Sequence, residues 1–435
     1  MTTATRSRTA TGQTPDSPAA NTASPISRRQ AWIAVLVCWL LVVFDGYDLI
    51  VYGTVQSSLL AEPGWGLSEA SLGTVGSMAF IGMMIGALLA GRIADVLGRR
   101  RTILACSVLF SVLTIACAFA PNAWVFGGLR LVAGIGLGGL VPSANAMVSE
   151  LVPQKWRSSI ATLMMSGVPI GGSLAALLGI PLIPAFGWPS MFLVAAVALV
   201  VIVPLGFKYL PETLPSAEPA TEQTAEKSEA DTSSAGFSSL LRAPYLGISV
   251  LFALITLFTL FAWYGLGTWL PNLMERAGYD LGSALTFALS LNIGAVVGSV
   301  VTAWAGDRFG PVPAGAAAAG LAGVALLVLL ASPPVWAVYV ALVLAGVGTH
   351  GTQCLVIAAV ANHYPSHLRG TALGWALGVG RLGAVAAPQV GGLLLALGFG
   401  TGSNFIAFAM GAVLAAILLI VVAIGYQQRN KAAAG

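Results

Sequence analysis

The stretch "GRIADVLGRRR" (residues 91–101) is a short polar island between two long apolar runs, and it has an echo. In "AWAGDRFG" (303–310), Asp95 recurs as Asp307 and Gly98 as Gly310, both 212 positions on. The same shift brings "AGIGLGG" from Ala133 onto "AGVGTHG" from Ala345, Pro153 and Arg157 onto Pro365 and Arg369, and Tyr52–Gly53 onto Tyr264–Gly265. Four separated matches in one register point to an internal duplication.

What is duplicated is a set of apolar runs. Each is about 20 residues or more, the length that crosses a hydrocarbon core of roughly 30 Å. Twelve are expected, near 31–55, 71–94, 102–120, 123–149, 157–180, 187–209, 246–270, 283–305, 313–332, 334–361, 370–396 and 402–426. A chain that is 57% hydrophobic and 8% charged, with mean hydropathy +0.88, is not a soluble globular protein. The runs are continuous rather than alternating, which excludes a β-barrel. The expected fold is therefore an all-α integral membrane protein of about twelve transmembrane helices. Two parallel six-helix repeats of this kind can rock about a central substrate site.

The segment "PETLPSAEPATEQTAEKSEADTSSAG" (211–236) divides the runs into six and six. It is acidic and poor in hydrophobic residues, so 211–243 is read as a linker between bundles at 28–210 and 244–428. Residues 1–27 and 429–435 are read as tails, the first disordered by composition and without a cleavable secretory signal. Of the 20 lysines and arginines, all but Arg130, Arg276 and Arg381 fall on one side of this topology. That side is expected to be cytoplasmic, with both termini inside the cytoplasmic membrane. The pI of about 9.0 then reflects loops near anionic lipid rather than nucleic-acid binding. Cys38, Cys106, Cys117 and Cys354 fall within helices at irregular spacings, which suits structural thiols rather than disulfides or a metal site.

"GRIADVLGRRR" resembles the loop signature of the major facilitator superfamily, and "AGDRFGP" its weaker copy between helices 8 and 9. Within that superfamily, "DGYD" (45–48), "RLVAGIGLGG" (130–139) and "GVGRLGA" (378–384) resemble the aromatic acid:proton symporters. The resemblance covers roughly residues 28 to 430 and implies import of benzoate-like ring acids with protons. It also implies that Asp95, Arg99 and Arg100, with Arg369 as a partner, latch the outward-facing state. Glu150 and Asp307 are read as members of the same gating network.

Asp45 and Asp48 lie in the first apolar run, three apart and so on nearly one helical face. A carboxylate in the membrane interior costs at least a few kcal/mol and normally faces a cavity, pairs or takes a proton. The repeat places Leu257 and Leu260 at the equivalent positions, so the fold itself does not require the acids. Proton coupling is expected at Asp45, Asp48 and Arg130. Arg381 is the expected receptor for the substrate carboxylate, because guanidinium grips carboxylate through two parallel hydrogen bonds. Arg130 could contact the substrate directly, hold an aspartate of helix 1, or sit near the headgroups at the start of its helix.

A ring acid also needs an aromatic slot, for which Phe44, Tyr47, Tyr52, Trp263, Tyr264 and Trp375 are candidates. Asn145, Asn292, Thr349, His350 and Gln353 are polar positions within helices that could line the cavity. His350 replaces Gly138 of the first repeat and could relay protons, read a ring hydroxyl or serve a structural bond.

Gly134, Gly136 and Gly139 match a dinucleotide fingerprint, but they lie in an apolar helix with no preceding strand, so close helix packing is the reading. "GVPIGG" (167–172) only partly resembles an antiporter signature, which favours uptake. No catalytic or metal constellation is apparent: neither an enzyme nor a cofactor is expected. The function read from the sequence is proton-coupled import of aromatic carboxylic acids, with a monomer sufficient. Export of amphipathic compounds and a nontransporting sensor stay open as alternatives.

Overall fold

The computed structural model describes residues 28–212, 239–240 and 242–434. Within that range the side chains of Arg92, Asp95, Lys155, Arg157, Ser158, Ser366, His367 and 426–434 are outside what is described. The expected N-terminal tail and most of the linker also lie outside the described residues.

Twelve of the described helices are long and apolar enough to cross a membrane, and each expected run maps onto one of them. They are α1 (Arg28–Leu60), α2 (Glu69–Leu97), α3 (Arg99–Cys117), α4 (Ala123–Leu151), α5 (Arg157–Phe186) and α6 (Pro189–Tyr209). The second set is α7 (Leu246–Arg276), α8 (Leu281–Phe309), α9 (Pro311–Val328), α10 (Val335–His363), α11 (Ser366–Ala396) and α12 (Gly400–Ala434). Helix α1 runs five residues past the expected end, because Gln56, Ser57 and Ser58 continue the helix without being apolar.

Local sequence sets the helix ends. Ser68 and Ser71 form a reciprocal capping box at α2, and Asn122 accepts from the Trp124 and Val125 amides at α4. The two motif glycines end α2 and α8 with φ of 86° at Gly98 and 90° at Gly310, a conformation that side-chain-bearing residues rarely adopt. The aspartate-to-glycine spacing shared by the two polar islands thus marks the same sharp exit from a helix.

The duplication reappears in the packing. Gly82 and Gly294 sit against the carbonyls of Leu131 and Val343, Gly86 and Gly298 against Ile135 and Val347, and Gly134 and Gly346 against Ala79 and Leu291. Each pair differs by the same 212 positions, so α2 meets α4 as α8 meets α10. A methyl group at any of these glycines would collide with main chain, which explains why small residues recur there. Where helices turn away from the bundle the side chains are large, apolar and exposed: Leu88 is 72% and Val200 70% exposed. Such a surface is stable only against lipid.

The halves meet through α2 with α11, α5 with α8, and α1 with α7. Contact is tight at the end carrying the 61–68 turn, which is the outer end in the orientation expected from lysine and arginine. There Gly53 lies on the Gly267 and Thr268 carbonyls, and Gly73 on the Pro388 carbonyl. Toward the other end, a cavity of about 260 Å³ opens between α5, α8 and α10, with Met165, Asp307 and Cys354 on its walls.

Candidate functional site

The two aspartates of α1 have different surroundings. Asp48 is buried and fully engaged: Arg130 Nη1 donates to its Oδ2 at 2.6 Å, and Thr114 Oγ1 donates to Oδ1 at 2.6 Å. Arg130 Nη2 also donates to the Asp48 main-chain carbonyl at 2.9 Å. Arg130 is only 2% exposed, so this is a desolvated ion pair within the first half, and its arginine is committed to the aspartate. Asp45 is equally buried at 1%, yet neither carboxylate oxygen has a hydrogen-bond partner. Its electrostatic neighbours are Arg381 and Asp48.

Arg381, half-buried on α11, reaches across to the first half, where Nη1 meets the Met83 sulfur at 2.8 Å. A thioether is a weak acceptor. Tyr264 stands beside both Arg381 and Asp45, and its ring lies 4.7 Å from that of Phe80 on α2. Guanidinium, unpartnered carboxylate, and an aromatic pair contributed by both halves therefore converge near the membrane centre. Such a group of residues can take a planar anion: two parallel hydrogen bonds from Arg381 to its carboxylate, and ring contacts to Phe80 and Tyr264.

The remaining candidates are distributed around this cluster. Trp263 packs on His350 with ring centres 5.1 Å apart, next along α7 from Tyr264. Asn292 donates to the Ala288 carbonyl at 2.8 Å and its Oδ1 is pressed against Gly172 of α5. Tyr47 donates to the Met191 carbonyl at 2.7 Å and Tyr52 to the Leu72 carbonyl at 2.6 Å, both inside the first half. Phe44 is buried beside Tyr47. Trp375 donates to the Ser249 carbonyl at 3.0 Å and sits about 9 Å along α11 from Arg381, at 1.5 Å per residue. Thr349 bonds back to the Ala345 carbonyl, and the Gln353 Oε1 is buried without a partner.

Of the residues expected to gate, Arg99 pairs with Glu150, and Arg100 donates to Glu212 at 2.9 Å and to the Phe207 carbonyl at 2.6 Å. None of these bonds reaches the second half. Arg369 is exposed at the start of α11, and Asp307 lines the 260 Å³ cavity. The side chain of Asp95 lies outside the described residues.

Sequence reading passed over Phe80, Met83 and the polar network at the end carrying the 61–68 turn. In that network Arg276 Nη2 donates to Glu69 at 3.1 Å, Arg276 Nε to Asn272 at 2.9 Å, and Asn272 to Ser57 at 2.9 Å, while Ser57 bonds Glu275. Ser77 adds a 2.7 Å bond to the Val385 carbonyl. The signal was present in Arg276, which stands apart from the other basic residues, but nothing local identified its partner.

The family model for the Major Facilitator Superfamily matches residues 38–388 and 287–434. A gentisate transporter of Corynebacterium glutamicum is 60% identical over 391 residues, covering 89% of this chain and 86% of that protein. A benzoate transport protein of Acinetobacter baylyi is 34% identical, covering 90% of this chain and 89% of its own length. Among solved structures, the crystal structure of a D-xylose-proton symporter superposes with a TM-score of 0.74 at 19% identity, over 89% of this chain and 97% of that one. The inward open conformation of the xylose transporter XylE from E. coli gives 0.71 at 17% identity, over 89% and 95%. These two establish the fold.

Proposed function

Because the chain belongs to the major facilitator superfamily, in its aromatic acid transporter family, and is a transporter rather than an enzyme, we propose that it imports a hydroxylated aromatic acid of the gentisate type together with protons. Residues 28–210 and 244–428 are the rocking halves, with both termini in the cytoplasm. The observation that carries this reading is Asp45: a buried carboxylate with both oxygens unpartnered and with Arg381 as a positively charged neighbour.

One cation serving two anions gives the coupling. With no substrate bound, Arg381 compensates Asp45. When a ring carboxylate takes the guanidinium from the Met83 sulfur, Asp45 loses that compensation, and an ionised carboxylate without partners is too costly to keep in such surroundings. Asp45 accepts a proton, the site becomes neutral overall, and the halves can rock. The Asp48–Arg130 pair stays closed and supplies a fixed wall. In the expected orientation the chain is closed outside by the Ser57–Asn272–Arg276–Glu69 network and opens inward between α5, α8 and α10, the arrangement that releases substrate to the cytoplasm. One proton per monoanion is electroneutral, so the pH gradient alone would drive uptake.

The test is uptake of labelled 2,5-dihydroxybenzoate and benzoate into proteoliposomes under an inward proton gradient. Accumulation that requires the gradient supports the proposal. Efflux driven by the reversed gradient, with no uptake, would assign the chain to export instead.

A further inference from the structure

Helix α5 carries Pro169 in "GVPIGG", and proline has no amide hydrogen to return to the carbonyl four residues earlier. That carbonyl is Met165, left open in mid-membrane, where an unsatisfied main-chain group is costly. The His350 ring, from α10 of the other half, lies within hydrogen-bonding reach of it. A neutral imidazole has one donor and one acceptor, so a nitrogen that donates to a carbonyl leaves the other as an acceptor only. Consistent with this, His350 Nε2 is buried without a partner in a side chain that is 3% exposed. Trp263 packs against the ring, its centre 5.1 Å away and its plane tilted by 50°. One turn on, Gln353 presents a second buried acceptor, Oε1, that also lacks a partner. Met165 and Cys354 line the 260 Å³ cavity, so this acceptor-bearing face of α10 adjoins the inward opening.

Two unpartnered acceptors call for a ligand with O–H or N–H donors, and an ionised benzoate has none. Building on the proposed function above, we propose that His350 is the specificity-determining residue that accepts a hydrogen bond from a ring hydroxyl, so that the site selects hydroxylated ring acids over benzoate. Pro169 acts as a positioning residue: it frees the Met165 carbonyl that fixes the His350 tautomer. A hydroxylated substrate satisfies Nε2, whereas benzoate leaves it unpaired in a desolvated site.

The experiment compares kcat/KM for 2,5-dihydroxybenzoate and benzoate in proteoliposomes for the unsubstituted protein, His350→Phe, His350→Gln and Pro169→Ala. His350→Phe keeps a ring against Trp263 and is expected to lower the ratio of the two kcat/KM values about tenfold or more, with the change mainly in KM for the hydroxylated acid. His350→Gln retains both a donor and an acceptor and should restore much of the ratio. Pro169→Ala keeps the histidine but lets the helix reclaim the Met165 carbonyl, and should lower the ratio as well. Equal losses for both acids in His350→Phe and Pro169→Ala would make the bond a structural pin between the halves and overturn the proposal. If the unsubstituted protein carries neither acid, the functional reading itself falls, and this inference with it.

Discussion

Arg130 closes on Asp48 from 82 positions away in sequence, with one guanidinium nitrogen 2.6 Å from the carboxylate and the other 2.9 Å from the main-chain carbonyl of the same residue. The contact assigns different work to two aspartates that look alike in sequence: Asp48 is held in a salt bridge, and Asp45 is left without one.

Asp48→Asn should therefore damage the protein before it damages coupling. Removing one partner of a buried ion pair strands the other, at about 3–5 kcal/mol. A markedly lower Tm in detergent and poor recovery of folded protein are expected. An unchanged Tm would show that Arg130 has another counter-charge.

Asp45→Asn has the opposite profile. An amide replaces an unpartnered carboxylate at little structural cost, so Tm should hold. Gradient-driven accumulation should disappear while exchange of labelled for unlabelled substrate across the membrane persists. Loss of exchange along with accumulation would remove Asp45 from the proton step.

Arg381→Lys keeps the charge but not the fork of parallel donors. Affinity for the ring acid is expected to fall at least tenfold, roughly 1.4 kcal/mol, as measured by isothermal titration calorimetry. Met83→Leu removes only the weak competing acceptor and should leave affinity unchanged or slightly improved.

At the end carrying the 61–68 turn, Arg276→Gln breaks the bond to Glu69 between halves. Both side chains are about one-third exposed, at 32% and 31%. Such a pair contributes about 0–1 kcal/mol, enough to shift a two-state population by up to about fivefold. Spin labels placed on the 61–68 and 277–280 turns should report a larger outward-open fraction. An unaltered distance distribution would show that packing of Gly53 and Gly73, not the polar network, keeps this end shut.

The N-cap of α8 should be acid-labile. Asp280 receives bonds from the Ser283 amide at 3.0 Å and the Ser283 hydroxyl at 2.6 Å, and these hold its carboxyl below the usual carboxylate range. With the folded value lowered, the cap's contribution is complete above the unfolded value and is lost as pH falls through the folded one. Protection factors against amide exchange at 281–283, taken relative to the intrinsic rate at each pH, should fall on acidification in that window, and Asp280→Asn should abolish the dependence.

Much of this architecture is readable from the sequence because its causes are local. A helix crossing lipid must be apolar over its whole length and must satisfy its own main chain, so twelve runs announce twelve helices. The 212-residue repeat survives because the same glycines face the same carbonyls in each half, as Gly82 does with Leu131 and Gly294 with Val343. Charges such as Asp45, Asp48, Arg130 and Arg381 stand out because a membrane interior tolerates few of them.

What each of those residues touches was settled only by the tertiary structure. Helical periodicity fixes a face but not the helix opposite it, nor the vertical register of the two. Sequence spacing therefore could not say that Arg130 reaches Asp48, that Arg381 lies against Met83, 298 positions away, or that the Tyr47 and Tyr52 hydroxyls are satisfied by carbonyls within the first half. Nor could it show that Pro169 and His350, on helices of opposite halves, act on the same Met165 carbonyl. Composition is imposed by the solvent, one segment at a time. Partnership is imposed by packing, which only the assembled bundle defines.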